Sequence, residues 1–214
     1  MINKILNITD FVGSTKAALQ KPLPGVEAQK RMIPKFPKNQ PEYFNYELVL
    51  NEAAVLILIF EQRGIHKTVL IERMPDAGPH SGQIAFPGGK KEKTDADIIE
   101  TAIREEEEIG VKIDRGNYLG SLTPVQIPIS GYSVTPVICS IDFVPKFKMC
   151  PEEVRNVFVA DLFELLNSET SKKLAVREME INAPCYMLKN KIVWGATAMV
   201  LSEFKAVIDQ NLGR

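Results

Sequence analysis

HSGQIAFPGGKKEKTDADIIETAIREEEEIG, residues 80–110, decides how this chain folds and what chemistry it can support. Behind the paired glycine Gly88-Gly89, apolar residues recur at Ile98, Ile99, Ala102, Ile103 and Ile109, the spacing of one helical face. Residues 95–109 are therefore predicted helical, with Asp95 as N-cap, Asp97 adding negative charge to the first turn, and Gly110 as the stop. The end of that helix carries Arg104 and four consecutive glutamates, Glu105 to Glu108. Adjacent carboxylates repel one another, so a merely structural helix gains little from them. A divalent cation such as Mg²⁺ or Mn²⁺, which prefers hard oxygen ligands, reverses that sign. The stretch points to metal-assisted chemistry on a phosphorylated molecule. A solvated charged face is the plainer alternative, but it leaves the neighbouring glycines unexplained.

Each side chain of the stretch has a chemical and a structural reading. Gly88-Gly89 lets the backbone approach a ligand or metal closely, with a positive φ at one of them, or simply turns strand into helix. Glu105 and Glu108 share a face at i, i+3, and Glu107 lies about 100° away. Arg104 stands four residues from both Glu100 and Glu108, so i, i+4 pairs to them are expected. Lys90 and Lys91 either steer an anionic substrate or are solvated. His80 either contacts phosphate or satisfies its own loop, and Gln83 bonds within the turn.

Working outward, 53–62 (AAVLILIFEQ) is a nearly continuous aliphatic run, the pattern of a strand buried on both faces. Residues 68–73 are its expected partner, across a turn at 63–66. Upstream, 3–20 reads as a helix ending before Pro22, and 22–43 as a long irregular connection rich in Pro and Lys. Downstream come strands at 118–122, 133–143 and 154–159, a helix near 161–167, short strands at 184–188 and 192–194, and a closing amphipathic helix over 196–212. Trp194 is expected to pack where the last strand meets that helix. Strands flanked by helices early and late predict an α/β fold with a mixed sheet covered on both faces.

Composition bounds the rest. The 214 residues suffice for one substantial core, 45% are hydrophobic and 25% charged, and the formal net charge of −1 gives no global basic excess for nucleic acid. Cys139, Cys150 and Cys185 are odd in number and widely spaced, which suits packing in a reducing compartment rather than a disulfide framework or zinc motif. No N-terminal signal peptide is read, and no apolar run approaches the roughly 20 residues that span a bilayer. A cytoplasmic protein with no membrane partner is expected. The domain expectation is 1–50 as an N-terminal helix and irregular segment packing on a single domain over 51–214. That N-terminal segment is long enough to cross to a second copy in a homodimer.

Residues 80–110 resemble the signature of the Nudix hydrolases: Gly, five residues, Glu, seven residues, then Arg-Glu-apolar-x-Glu-Glu-x-Gly. Arg73 and 80–89, with 131–136, Glu153-Val154 and 192–198, resemble the subgroup that hydrolyses coenzyme A. The resemblance implies an α/β/α sandwich around a central mixed β-sheet and cleavage of X attached to a nucleoside diphosphate. For a coenzyme A-like nucleotide the products are 3′,5′-ADP and 4′-phosphopantetheine. It implies Mg²⁺ or Mn²⁺ held by the Gly89 carbonyl with Glu105, Glu107 and Glu108. Arg104 would orient a box glutamate, and Glu105, Glu108 and Glu153 would serve catalysis, a surface acid being the alternative for Glu153. Arg73, His80, Gln83 and Lys90 would face the substrate.

The match departs from the pattern in three places. Asp95 stands where the first glutamate belongs, and eight residues rather than seven separate it from Arg104. The run Arg104 to Gly110 is one residue short. Anchored on Arg104, the acids are Glu105 and Glu108; anchored on Gly110, they are Glu107 and Glu108. In a regular helix both anchors cannot hold, because one deletion rotates all that follows by about 100°. A changed C-terminal turn would absorb it; otherwise a ligand is lost. Gly78 stands where coenzyme A enzymes often carry a basic residue. Another nucleoside-diphosphate substrate, such as ADP-ribose or a dinucleotide, and a binding protein with a disabled box both remain open.

Overall fold

A computed structural model of the chain describes residues 7–35, 51–75, 80–176 and 179–212; the side chains of Glu107, Glu108, Met179 and Leu212 fall outside the described set. In chain order the elements are α1 (Ile8–Ala18), α2 (Gly25–Gln29), β1 (Asn51–Gln62), β2 (Ile65–Arg73), β3 (Ile84–Ala85), β4 (Gly88–Lys90) and α3 (Ile98–Arg104). They continue with β5 (Tyr118–Ser121), β6 (Val125–Ile127), β7 (Tyr132–Ser140), β8 (Val154–Asp161), α4 (Leu162–Leu166), β9 (Thr170–Val176), β10 (Met179–Leu188), β11 (Lys191–Trp194) and α5 (Ala196–Leu212).

β1 is the hub. It runs antiparallel to β2 across the two-residue turn Arg63-Gly64, whose residues both have positive φ, as a tight hairpin requires. It also runs antiparallel to β4 and parallel to β7. Among the described residues β1 to β8 form one mixed sheet, and β9 to β11 form a second, antiparallel one. The uninterrupted apolar run of β1 follows from burial on both faces. Ile57 and Ile59 point into a core shared with Phe11, Leu19, Met32, Leu162 and Phe204, under α1, α4 and α5. Leu56, Leu58 and Phe60 point the other way, into a core with Ala102, Ile109 and Val137 under α3. The structure is the expected α/β sandwich around a mixed sheet.

Several elements differ from their sequence reading. The first described helix is Ile8–Ala18, capped by the Asn7 side chain, and residues 1–6 lie outside the described set. The stretch read as wholly irregular contains α2 and a 3-10 turn, Lys30–Met32, while 36–50 lies outside the described residues. The N-cap of α3 is Asp97, whose carboxylate accepts from the amides of Ile99 and Glu100; Asp95 is occupied elsewhere. α-Helix also stops at Arg104, and Glu105–Ile109 winds as a 3-10 turn. β9 and its pairing with β10 were not anticipated. No helix among the described residues is long and apolar enough to cross a membrane.

Candidate active site

Two adjacent glycines set the site's backbone, each for its own reason. Gly88 has φ +156°, and a Cβ there would lie 2.2 Å from the Ala54 carbonyl oxygen and 2.6 Å from Val55 Cα. The antiparallel register Val55↔Gly88 therefore admits only glycine. At Gly89 a Cβ would lie 2.5 Å from the carboxylate carbon and both oxygens of Glu105. Gly89 is what lets backbone and carboxylate come together.

Arg104, the last residue of α3, ties the box to β4. Its Nε donates to Asp95 Oδ1 at 2.9 Å and its Nη2 to the Lys90 carbonyl at 2.8 Å and Asp95 Oδ2 at 3.1 Å. Its Nη1 meets Glu105 Oε1 at 2.6 Å and Glu92 Oε1 at 3.6 Å. The i, i+4 pairing expected with Glu100 is not what forms: the Glu100 carboxylate accepts from the Ala96 amide, and the distant Asp95 wins because its buried carboxylate offers two oxygens to one guanidinium. Thr101 Oγ1 and the Glu92 amide also donate to Asp95. The Arg104 hydrogen bonds hold the Asp95 carboxyl at about 2, and Asp95 in turn keeps the guanidinium charged.

The 3-10 turn answers the missing residue. Seven α-helical steps, the full-length spacing from Arg to Gly, turn through about 700° and advance about 10.5 Å. Here six steps, mostly 3-10 at about 120° and 2.0 Å each, also turn through about 700° and advance about 11.5 Å. Tightening the turn thus restores both the angle and the height of Gly110 relative to Arg104. Gly110 closes the turn with φ +69°, and the Lys148 amide donates to the Ile109 carbonyl at 2.9 Å.

That winding drives Glu106 inward. It is fully buried, and neither carboxylate oxygen has a hydrogen-bond partner among the described residues. Burial pushes it up to about 8. The nearby Cys139 thiol is raised to about 12, by burial first and then by the Glu106 charge. The family pattern puts an apolar residue immediately after Arg-Glu, and that was the available signal for an inward-facing position.

Arg73, His80 and Gln83 gather at the far end of the 80–90 segment. The Arg73 amide donates to the Gln83 carbonyl at 3.0 Å, and His80 Nδ1 lies 3.2 Å from Gln83 Oε1. The Met74 amide donates to the Glu153 carbonyl, which places the exposed Glu153 beside the end of β2, on the loop that precedes β8. β8 and β4 both touch the 3-10 turn. Lys90 is exposed next to Gly89, with Nζ 6.0 Å from the centre of the Tyr132 ring, a partner sequence reading missed. Trp194 is half-buried.

The donors described so far suit a hard cation: a carboxylate and a main chain meeting where no side chain intervenes. Among the described residues no three His, Cys, Asp or Glu side chains cluster as metal ligands, and the side chains of Glu107 and Glu108 lie outside that set.

Residues 50–174 match the NUDIX domain family model. A Nudix hydrolase NudL of Yersinia enterocolitica, itself uncharacterized, is 33% identical over 173 residues, covering 79% of this chain and 87% of that protein. The NudL of Yersinia pestis is 32% identical, covering 77% and 84%. In fold, the chain resembles the MutT protein of Methanosarcina mazei (TM-score 0.53, 17% identity, 79% of this chain and all of that one). It is equally like a MutT/nudix family protein of Enterococcus faecalis (TM-score 0.53, 19% identity, 83% and 71%). Sequence and fold agree, and the chain belongs to the Nudix hydrolases, enzymes that act on pyrophosphate bonds.

Proposed function

We propose that this Nudix hydrolase splits the pyrophosphate bond of coenzyme A or its derivatives, in the cytoplasm, releasing 3′,5′-ADP and 4′-phosphopantetheine. The observation that carries the catalytic part is the contact of Gly89 backbone with the Glu105 carboxylate, braced by Arg104. Mg²⁺ or Mn²⁺ is assigned to the Gly89 carbonyl with Glu105, Glu107 and Glu108, and when bound it neutralises diphosphate charge and acidifies water. Arg104 fixes Glu105 from one side and the Lys90 carbonyl from the other, so the carboxylate is oriented before substrate arrives. Glu105, Glu108 and Glu153 are the acids available to take the proton of the attacking water. Arg73 at the end of β2, with His80 and Gln83 in the turn it is bonded to, is assigned to the substrate end beyond the scissile bond, with Lys90 on the opposite side. The coenzyme A assignment rests on the likeness of 80–89 to that subgroup.

The test is turnover of coenzyme A with Mg²⁺ or Mn²⁺ at roughly millimolar concentration, with ADP-ribose in parallel and products separated. Appearance of 3′,5′-ADP is expected, and Glu105→Gln is expected to lower it on the order of 100-fold. Cleavage of ADP-ribose alone would overturn the substrate, and cleavage of neither would overturn the catalytic reading.

A further inference from the structure

A cleft of about 310 Å³ opens where the start of β1, the end of β4 and the start of β7 meet, one residue beyond Gly89. Its walls carry Lys90, Lys91 and Lys93 against Glu52 and Glu92, with Tyr132 facing them. The charges do not cancel locally. Glu52 is engaged by Lys91 at 2.8 Å, and Glu92 is drawn toward Arg104 at 3.6 Å. Among the described residues neither Lys90 nor Lys93 has a carboxylate partner. Three lysines thus outnumber two glutamates along the walls, and Lys90 Nζ stands over the half-buried Tyr132 ring, 6.0 Å from its centre.

The cleft is built rather than incidental. The Lys91 amide donates to the Glu52 carbonyl at 3.0 Å, which fastens the lysine segment to β1. The Lys90 carbonyl is held by Arg104, so the segment is also fastened to the catalytic helix. The register Asn51↔Tyr132 sets the ring across β1 from the lysines. At about 310 Å³ the cleft lies at the small end of ligand sites, enough for a nucleotide fragment but not a whole dinucleotide-sized substrate. Paired ammonium groups select a phosphate monoester dianion, and the ring offers a stacking face to a purine.

We infer that this cleft is a subsite for the 3′-phosphorylated adenosine end of the substrate, with Lys90 and Lys93 binding the 3′-phosphate and Tyr132 packing on the base. The inference deepens the coenzyme A reading and rests on it for the identity of the substrate. It also accounts for polarity: the adenosine end lies on the β4 side, and the pantetheine end lies toward Arg73, His80 and Gln83.

Calorimetric titration of the full chain in EDTA with 3′,5′-ADP and with 5′-AMP tests this without turnover or metal. 3′,5′-ADP should bind roughly tenfold or more tightly than 5′-AMP, the worth of one charge-assisted contact. Lys93→Ala should bring the two nucleotides within about twofold of each other, and Tyr132→Ala should weaken both by about tenfold. Lys93 is exposed, so its substitution leaves the fold intact, which thermal melting would verify. Equal affinities, no binding of either nucleotide, or a 3′-phosphate preference that survives Lys93→Ala and Lys90→Ala would overturn the subsite. Coenzyme A turnover without that preference would refute the subsite alone; the preference without turnover would refute the catalytic reading alone.

Discussion

Gly88 and Gly89 are adjacent and chemically identical, yet a methyl group added to each meets different neighbours. At Gly88 the obstacles are main-chain atoms of β1, which cannot move without breaking the sheet; at Gly89 the obstacle is the end of the Glu105 side chain, which can swing away. Gly88→Ala should therefore cost about 2–3 kcal/mol or more in urea unfolding. Gly89→Ala should cost less than about 1 kcal/mol yet lower pyrophosphatase turnover by about 100-fold, because displacement of a positioned carboxylate is enough. Equal stability losses would show that Gly89 serves the strand and not the glutamate. Glu106 carries the opposite kind of stress, a carboxyl group with neither water nor partner. Its acidity is weakened in the fold, from an ordinary 4.5 to about 8. The unfolded chain therefore ionises first, and the contribution to stability is complete below about pH 4.5 and lost as pH rises toward 8. The buried His66, lowered by desolvation, acts in the opposite sense, gaining stability as pH rises toward its ordinary range. Subtraction of a Glu106→Met variant in EDTA isolates the glutamate: the variant's advantage should grow by roughly 3–5 kcal/mol between pH 4.5 and 8. A difference that stays flat with pH would mean the carboxyl finds a partner or water.

At the scale of the element, the 3-10 turn Glu105–Ile109 shows why part of the site could be read in the sequence and part could not. The apolar stripe Ile98, Ala102 and Ile109 and the glycine stop are local patterns, and they were legible. The geometry of a helix one residue short is not local. It depends on whether Arg104 or Gly110 is held harder, and both are held: Arg104 by Asp95 and the Lys90 carbonyl, and the segment just before Gly110 by Lys148 on a distant loop. With both ends fixed, the backbone between them tightens. Asp95 escaped the same reading, because its partner Arg104 is nine residues on and its position mimics a cap. β9 was missed for a different reason: its residues are mostly exposed, so no apolar alternation marks it, and it forms only because β10 lies beside it. If the tightened turn stands in for the absent residue, then an alanine inserted between Glu105 and Glu106 should let the segment relax to α-helix. Mn²⁺ affinity should stay within about threefold, whereas deletion of Glu106 should weaken it by tenfold to about 100-fold. Loss of affinity in the insertion variant equal to that in the deletion would show that the turn does not compensate.

Across the whole molecule, the long apolar run of β1 was decisive because burial on both faces is the only arrangement that tolerates it, and the helices on either side follow from that. The seating of α2 on α5 had no such signal, since a polar contact between residues far apart in the chain fastens it. Glu203, fully buried on α5, accepts from Gln29 Nε2 at 2.8 Å and from the amides of Gly25 and Thr123 at 3.2 Å each. One carboxylate thereby joins α2, α5 and the segment leading into β6, and Ser202 Oγ adds a bond to the Ala28 carbonyl. Removing that carboxylate takes the acceptor from the half-buried amides of Gly25 and Thr123 and leaves the buried Gln29 Nε2 only the Thr123 carbonyl, which is costlier than the loss of the bonds themselves. Glu203→Ala should destabilise the protein by about 3 kcal/mol. The loss should be uneven: amide hydrogen exchange should rise over residues 25–32 while β1 and the box turn keep their protection, because the core beneath α3 shares no contact with Glu203. Exchange that rises uniformly would mean that α2 is not a separable unit but part of the same cooperative core as the catalytic face.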